Sequence, residues 1–329
     1  MNNSSFSSFT SLFSSYPKGL SWDSSTGFTP LEKAVHTQNK IVVIGQVLSP
    51  FTIEKILDDL IPIVDLVGVK QNANTAKTGM YAIDIFIVVN DEDTLKERLQ
   101  VMSDTYLVDL VYQASCPTLS KPGLLLMDMD STMIQMECID EIARLANRYD
   151  DVANVTAQAM NGKLAFAESL QTRVACLSGV NLDALEHIKA QLPLMPGLWR
   201  LVTELQKCNW KIAIASGGFT YFADYLKDLL GLDFAISNVL EIENEKLTGK
   251  TTGQVVDAQV KAKTLSSLQS EWEIDSEQVC AIGDGANDLP MLARASLGVA
   301  FHAKPSVRAQ ADYVVSYQSL DALLLLIAP

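Results

Sequence analysis

Positive charge is scarce in this chain: 25 Lys and Arg stand against 39 Asp and Glu, a formal net charge of −14. Nucleic-acid binding needs a basic footprint that displaces counterions from phosphates, so this balance argues against nucleic acid as a partner. Histidine is scarcer still. His36, His187 and His302 lie far apart, which argues against a catalytic or metal-binding histidine cluster. Five cysteines (Cys116, Cys138, Cys176, Cys208 and Cys280) are odd in number and form no CxxC pair. They give neither a disulfide framework nor a zinc site, and they fit a reducing compartment such as the cytoplasm. No apolar run approaches the ~18 residues of a membrane helix, and Leu323 to Ile327 reads as a core helix turn. At the start, serines interrupt every apolar stretch and the first positive residue is Lys18, so no secretory signal is expected. Residues 1–38 read as a flexible arm.

What the chain does have is apolar content, 48% hydrophobic against 19% charged, over 329 residues. That predicts a folded protein of two or three domains. Ile41 to Leu48 is a β-branched strand run, and Ile53, Ile56, Leu57, Leu60, Ile61 and Val64 recur at helical spacing until Pro62 stops or kinks the turn. Strands are expected at Asp65 to Lys70 and Tyr81 to Val89. A helix with Leu95, Leu99 and Met102 inside follows, then a closing strand at 107–114. The order β-α-β-β-α-β predicts a small ferredoxin-like α+β domain over 39–114. Two prolines and a glycine in 115–123 mark a linker.

Beyond the linker, Leu124 to Asp130 (LLLMDMD) is an apolar run ending in carboxylates, as in a buried parallel strand opening into a site. Residues 139–195 look almost wholly helical. Strand-like runs return at 211–216, 233–238, 279–284 and 297–301, alternating with helices. This predicts an α/β core over 124–329, a doubly wound parallel (Rossmann-like) sheet with an inserted helical cap.

Three core strands end in acceptors or a small hydroxyl, at the edge where open parallel sheets bind ligands. Asp128 and Asp130 follow the first, Ser216 and two glycines another, and Asp284 with Asp288 a third. Asp128, Asp130 and Asp284 together supply oxygen ligands for Mg²⁺, which suits phosphoryl transfer by neutralising charge that repels an anionic nucleophile. Ser216 and the free N–H groups at a helix start make a phosphate cradle, although a plain glycine turn would read the same way. Asp288 has a structural alternative as a helix N-cap; Asp284, directly behind an apolar strand, has none comparable. Lys261 and Lys263 lie about 200° apart on a helix, so only one can face such a site.

The order DMDST, SGG, lysine, GDGAND resembles the haloacid dehalogenase superfamily of aspartate-nucleophile phosphatases. ECIDEIA, FAESLQTRV and IASGGFTYFA narrow the resemblance to the phosphoserine phosphatase family over about 123–315. That resemblance implies Asp128 as nucleophile and Asp130 as general acid and base. It implies Mg²⁺ on Asp128, the Asp130 carbonyl and Asp284, with Asp288 behind them. Ser216, Gly217 and Lys261 would hold the phosphoryl oxygens, with Asn287 near the ligand; Lys261 is preferred to Lys263 because its helix offset matches the family motif. Glu137 would meet the ammonium of O-phosphoserine and Arg173 its carboxylate, while Met160 and Phe166 would cover its methylene.

The N-terminal unit resembles ACT-type regulatory modules more loosely. It lacks the glycine-bearing turn of ligand-binding members, having VLSPFT with Gly45 inside the strand. Two roles stay open for the unit, binding an amino acid or only pairing subunits as a homodimer, and the missing turn counts against the first. The competing functions are a phosphatase of the same fold for phosphohomoserine or a sugar phosphate, and a catalytically inert amino-acid sensor. Glu137 and Arg173 argue against the sugar, and the intact aspartates argue against the sensor.

Overall fold

The computed structural model describes residues 13, 16–33, 35, 37, 39–160 and 165–329, with the side chains of Ala159 and Met160 outside that description; His36 also lies outside it. The chain divides into two compact units, Met1–Ser120 with Asp312–Pro329, and Lys121–Ala311.

In the first unit an antiparallel sheet has the order β2-β1-β4-β5-β3-β6. β3 (Lys40–Gly45), α1 (Pro50–Leu60), β4 (Asp65–Gln71), β5 (Tyr81–Val88), α2 (Glu92–Tyr106) and β6 (Asp109–Gln113) supply the ferredoxin-like order read from the sequence. Local chemistry starts both helices. The Ser49 hydroxyl accepts the Thr52 N–H at 3.0 Å with Pro50 in the first turn, and Asp91 accepts the Thr94 N–H at 3.1 Å. Ile53, Ile56, Leu57 and Leu60 on one helix, and Leu95, Leu99 and Met102 on the other, are buried.

The arm expected over 1–38 holds regular structure among its described residues. β1 (Leu20–Asp23) and β2 (Gly27–Pro30) form a hairpin that extends the sheet beside β4. Its turn is closed by Asp23, which accepts the N–H groups of Ser25 and Thr26, both at 3.0 Å. Cross-strand partners Trp22 and Phe28 pack with ring centroids 4.7 Å apart. Ser24 and Ser25 are exposed at the turn between the aromatic partners, which is why composition alone misreads this hairpin.

The C-terminal boundary also differs from the expected 124–329, because Asp312–Pro329 belongs to the first unit. Asp109, only 1% exposed, accepts the N–H groups of Ser316, Tyr317 and Gln318 at 2.7, 3.3 and 3.1 Å. The buried amides of Asn72, Asn74 and Gln113 donate to carbonyls of Leu325, Leu324 and Leu326 at 2.8–2.9 Å. Leu320–Leu326 is a buried 3₁₀ turn.

The second unit is a parallel sheet with an antiparallel edge, in the order β10-β9-β8-β7-β11-β12. Its strands are β7 (Leu124–Met127), β8 (Lys211–Phe219), β9 (Phe234–Glu243), β10 (Lys246–Thr252), β11 (Val279–Gly283) and β12 (Leu297–Phe301). Helices α3 (Cys138–Leu145), α4 (Tyr149–Met160), α5 (Phe166–Ala175) and α6 (Leu182–Ala190) fill the insertion after β7. Later helices include α7 (Leu198–Lys207), α8 (Thr220–Leu230), α9 (Ala258–Glu271), and the single turns α10 (Leu289–Leu292) and α11 (Pro305–Arg308). The β9–β10 hairpin was not read from the sequence. Its two-residue turn places Asn244 and Glu245 at positive φ, 50° and 59°. β10 then braces the insertion: Gly179 N–H donates to Leu247 O at 2.8 Å, and Leu247 N–H to Val180 O at 2.9 Å. Among the described residues no helix is long and apolar enough to cross a membrane.

Candidate active site

β7 is wholly buried between β8 and β11, and its carboxyl end is where the chemistry begins. Asp128 N–H still bonds Ile282 O at 3.0 Å, which carries the ladder one residue past the strand. The chain then turns: Met129 O accepts the N–H groups of Thr132, Met133 and Ile134, and Ser131 takes φ 57°. This turn puts Asp128 and Asp130 on one cavity of about 550 Å³. Ser216, Gly217, Asp284 and Asn287 line the same cavity, as do Glu137, Arg173 and Phe166 from the inserted helices. Met160 ends α4, and its side chain lies outside the described residues.

Lys261 and Asp288 are both fully buried, next to Asp128. Lys261 Nζ lies 2.8 Å from Asp128 Oδ1 and 2.8 Å from Asp288 Oδ1. Burial opposes its charge, but the two carboxylates outweigh it and raise its pKa. Lys263, two residues on, is exposed. Asp288 stands at the N-cap position of α10 yet makes no side-chain cap. Its Oδ2 instead accepts the Gly285 N–H at 3.0 Å, so capping does not explain it. A Cβ on Gly283 would lie 2.4 Å from the Asp288 carboxyl, which is why glycine ends β11.

Carboxylate oxygens of Asp128, Asp284 and Asp288 lie within 4.8 Å of one another. Burial first, then the charges of Asp128 and Asp288, push the Asp284 carboxyl up to about 7. Burial and Asp128 push Asp288 up to about 6. Three carboxylates against one lysine are under-neutralised, and an all-oxygen set of this kind fits a hard divalent cation. Thr132 Oγ1 reaches Asp284 Oδ1 at 3.4 Å.

Asp130 is different. Its Oδ2 accepts the Cys138 N–H at 3.3 Å, while its Oδ1 is buried without a hydrogen-bond partner. Burial, with Glu137 and Asp128 nearby, raises its pKa well above the usual carboxylate range. The Ser131 hydroxyl donates to Glu137 Oε1 at 2.7 Å. Limited hydration raises Glu137 as well, and burial lowers Arg173. Arg173 Nε is buried and has no partner, leaving a donor for an incoming anion.

The Ser216 hydroxyl oxygen accepts the Gly218 N–H at 3.0 Å, which frees its proton for the cavity. A Cβ on Gly218 would lie 2.7 Å from the Met129 side chain and 3.1 Å from Asp130 Oδ2. Sequence reasoning missed several residues here. Lys304 and Ser306 line the cavity after β12, and their signal was the same carboxyl-end position as the others. Thr132 lies in the DMDST motif but was given no role, and Asn238 carries no motif signal of its own.

A parallel α/β sheet with a helical cap and a carboxylate-rich cavity at its strand ends defines a class of hydrolase. The chain belongs to the haloacid dehalogenase-like hydrolases, whose family model matches residues 123–296. Within that class it falls among the phosphoserine phosphatases. It is 57% identical over 221 residues to the phosphoserine phosphatase of Haemophilus influenzae, covering 67% of this chain and 70% of that one. To the Vibrio cholerae phosphoserine phosphatase it is 45% identical over 254 residues, 77% of this chain and 75% of the relative. A crystal structure of a probable phosphoserine phosphatase from Vibrio cholerae, unliganded, superposes with a TM-score of 0.73 at 40% identity, covering 88% and 86% of the two chains.

Proposed function

We propose that the chain hydrolyses O-phospho-L-serine to serine and phosphate through an aspartyl-phosphate, the last step of serine biosynthesis. One observation carries the reading. One cavity brings Asp128, Asp130, Ser216 and Gly217 together with Glu137 and Arg173. Opposite charges at that spot suit a zwitterion, and the first group suits its phosphate.

Asp128 attacks phosphorus and the serine oxygen leaves. Met129 N–H and Lys261 Nζ both engage Oδ1 of Asp128, which leaves Oδ2 as the oxygen that attacks. Asp130 delivers its proton to the departing oxygen, then takes one from the water that cleaves the acyl-phosphate. The raised pKa and orphaned Oδ1 support a carboxyl that enters the cycle protonated. Ser216, the Gly217 N–H and Lys261 hold the phosphoryl oxygens, Asn287 contacts the ligand, and Phe166 excludes water above it. Asp128, the Asp130 carbonyl and Asp284, with Asp288 behind them, would hold Mg²⁺, which would neutralise charge on the transferring group; the close approach of the Asp128, Asp284 and Asp288 carboxylates supports this. The scattered free cysteines support a cytoplasmic enzyme. The strand order of the N-terminal unit supports an ACT-like module, and exposed Val47, Phe51 and Leu107 support its use in pairing subunits.

The test is phosphate release from L-phosphoserine with and without Mg²⁺, beside a panel of sugar phosphates. Equal hydrolysis of the panel would remove the specificity. Asp128→Asn is expected to lower kcat by at least about 10³-fold with the fold intact. Retained turnover would remove the nucleophile.

A further inference from the structure

Asn238 is 1% exposed, does not line the cavity, and has no part in the chemistry above. It pairs with Phe219 across the β8–β9 ladder, just beyond the point where that ladder slips between Ala215 and Phe219. Ser216, Gly217 and Gly218 occupy the slip, so their peptide groups lose regular partners on β9. The Asn238 side chain replaces them. Its Nδ2 donates to Gly217 O at 2.8 Å, and its Oδ1 accepts the Val256 N–H at 2.9 Å. A carbonyl can only accept and an amide N–H can only donate, so this orientation of the Asn amide is fixed.

The consequences run to both sides. The peptide between Gly217 and Gly218 is now held at its two ends, its carbonyl by Asn238 and its N–H by Ser216 Oγ. That fixes the plane of the glycine backbone and the hydroxyl proton of Ser216 together. On the other side, Val256 precedes Asp257, whose carboxylate caps α9 through the N–H groups of Gln259 and Val260. Lys261 stands on the first turn of that helix. One buried side chain therefore ties the Ser216–Gly217 loop to the helix that carries Lys261.

We propose that Asn238 is a positioning residue of the phosphoryl site, setting the Ser216–Gly217 loop and the Lys261 helix in register with each other. The proposal rests on the reading of Ser216, Gly217 and Lys261 as the groups that hold phosphate. Misplacement of such groups by a fraction of an ångström is costly, because their value comes from preorganisation.

Asn238→Asp is nearly isosteric and keeps the acceptor for Val256 N–H, but an ionised carboxylate has no donor for Gly217 O. Asn238→Ala removes both bonds without burying a charge. Ser237→Ala, at the next position on β9, deletes a buried hydroxyl that has no partner and serves as the control. The measurements are kcat and KM for phosphoserine, the affinity for inorganic phosphate by calorimetry, and Tm. Both Asn238 variants are expected to lose about 10–100-fold in kcat and in phosphate affinity, while Ser237→Ala behaves as wild type. Wild-type kcat and phosphate affinity in Asn238→Asp or Asn238→Ala would overturn the proposal. So would losses that follow Tm alone across all three variants, or failure of both Asn238 variants to fold, since either marks a purely structural residue. Absence of phosphoserine turnover in the wild type would instead defeat the functional reading, and phosphate binding would still test Asn238.

Discussion

Asp284 and Asp288 carry charge that the fold stabilises poorly, and this makes the protein's response to metal depend on pH. Their folded-state carboxyls are raised to about 7 and about 6, above the ordinary value of 3.8. A raised carboxyl contributes stability fully present below the unfolded pKa and lost as pH rises through the folded one. The metal-free protein is therefore expected to lose stability between about pH 4 and pH 7, and a divalent cation to restore it by taking the place of protons. Melting curves with Mg²⁺ or with EDTA, at about pH 5.5 and about pH 8, check this: the Mg²⁺-induced rise in Tm should be larger at the higher pH. An equal rise at both would mean the cluster does not bind the cation. Arg173 yields a second prediction, because its unpartnered Nε belongs to a planar fork that lysine cannot reproduce. Arg173→Lys should raise KM for phosphoserine about 10–100-fold. Hydrolysis of phosphoethanolamine, which has no carboxylate, should be little affected. A parallel loss on both substrates would place Arg173 on the phosphate instead.

Helix α9 connects capping to catalysis at the level of elements. Asp257 accepts N–H bonds at 3.0 and 2.9 Å from Gln259 and Val260, one turn before Lys261. Asp257→Ala should cost about 1 kcal/mol of stability. It should also lower kcat/KM, because the frayed turn is the one that delivers the ammonium to Asp128. Denaturant melts and steady-state kinetics measure the two effects, and lost stability with unchanged kinetics would show the turn holds without its cap. Elements of this kind were the most legible in the sequence. Helical spacing gave the buried faces of α1 and α2, and apolar runs ending in Asp128, Ser216 and Asp284 marked one edge of the parallel sheet. The motif order then separated Lys261 from Lys263. The misses have physical causes. The β1–β2 hairpin carries a single cross-strand aromatic contact, Trp22 with Phe28, within a serine-rich stretch, and the β9–β10 turn uses Asn244 and Glu245 where a glycine would have signalled it. Asn238 does its work only where a ladder slips, and no local pattern announces a slip.

At the scale of the whole molecule, a net charge of −14 is compatible with an anionic ester because the positive groups are local: Lys261, Arg173 and backbone N–H groups at the strand ends. The chain's path is the feature the sequence hid. It leaves the first unit after Ser120, builds the hydrolase unit, and returns at Asp312 to complete the first. Pairing between residues some two hundred positions apart has no local periodicity to reveal it. Asp109 fixes that return, accepting N–H groups from Ser316, Tyr317 and Gln318 while itself 1% exposed. A carboxylate so buried is tolerated because several backbone donors converge on it. Asp109→Ala removes a shared acceptor from three amides at once and should destabilise the first unit by about 3–5 kcal/mol. Hydrogen exchange distinguishes this from a general loss. Amides of β3, β5 and β6 should lose protection first, while those of β7, β8 and β11 keep theirs. If both sets open together, the C-terminal segment is not the closing piece of the first unit, and the two units unfold as one.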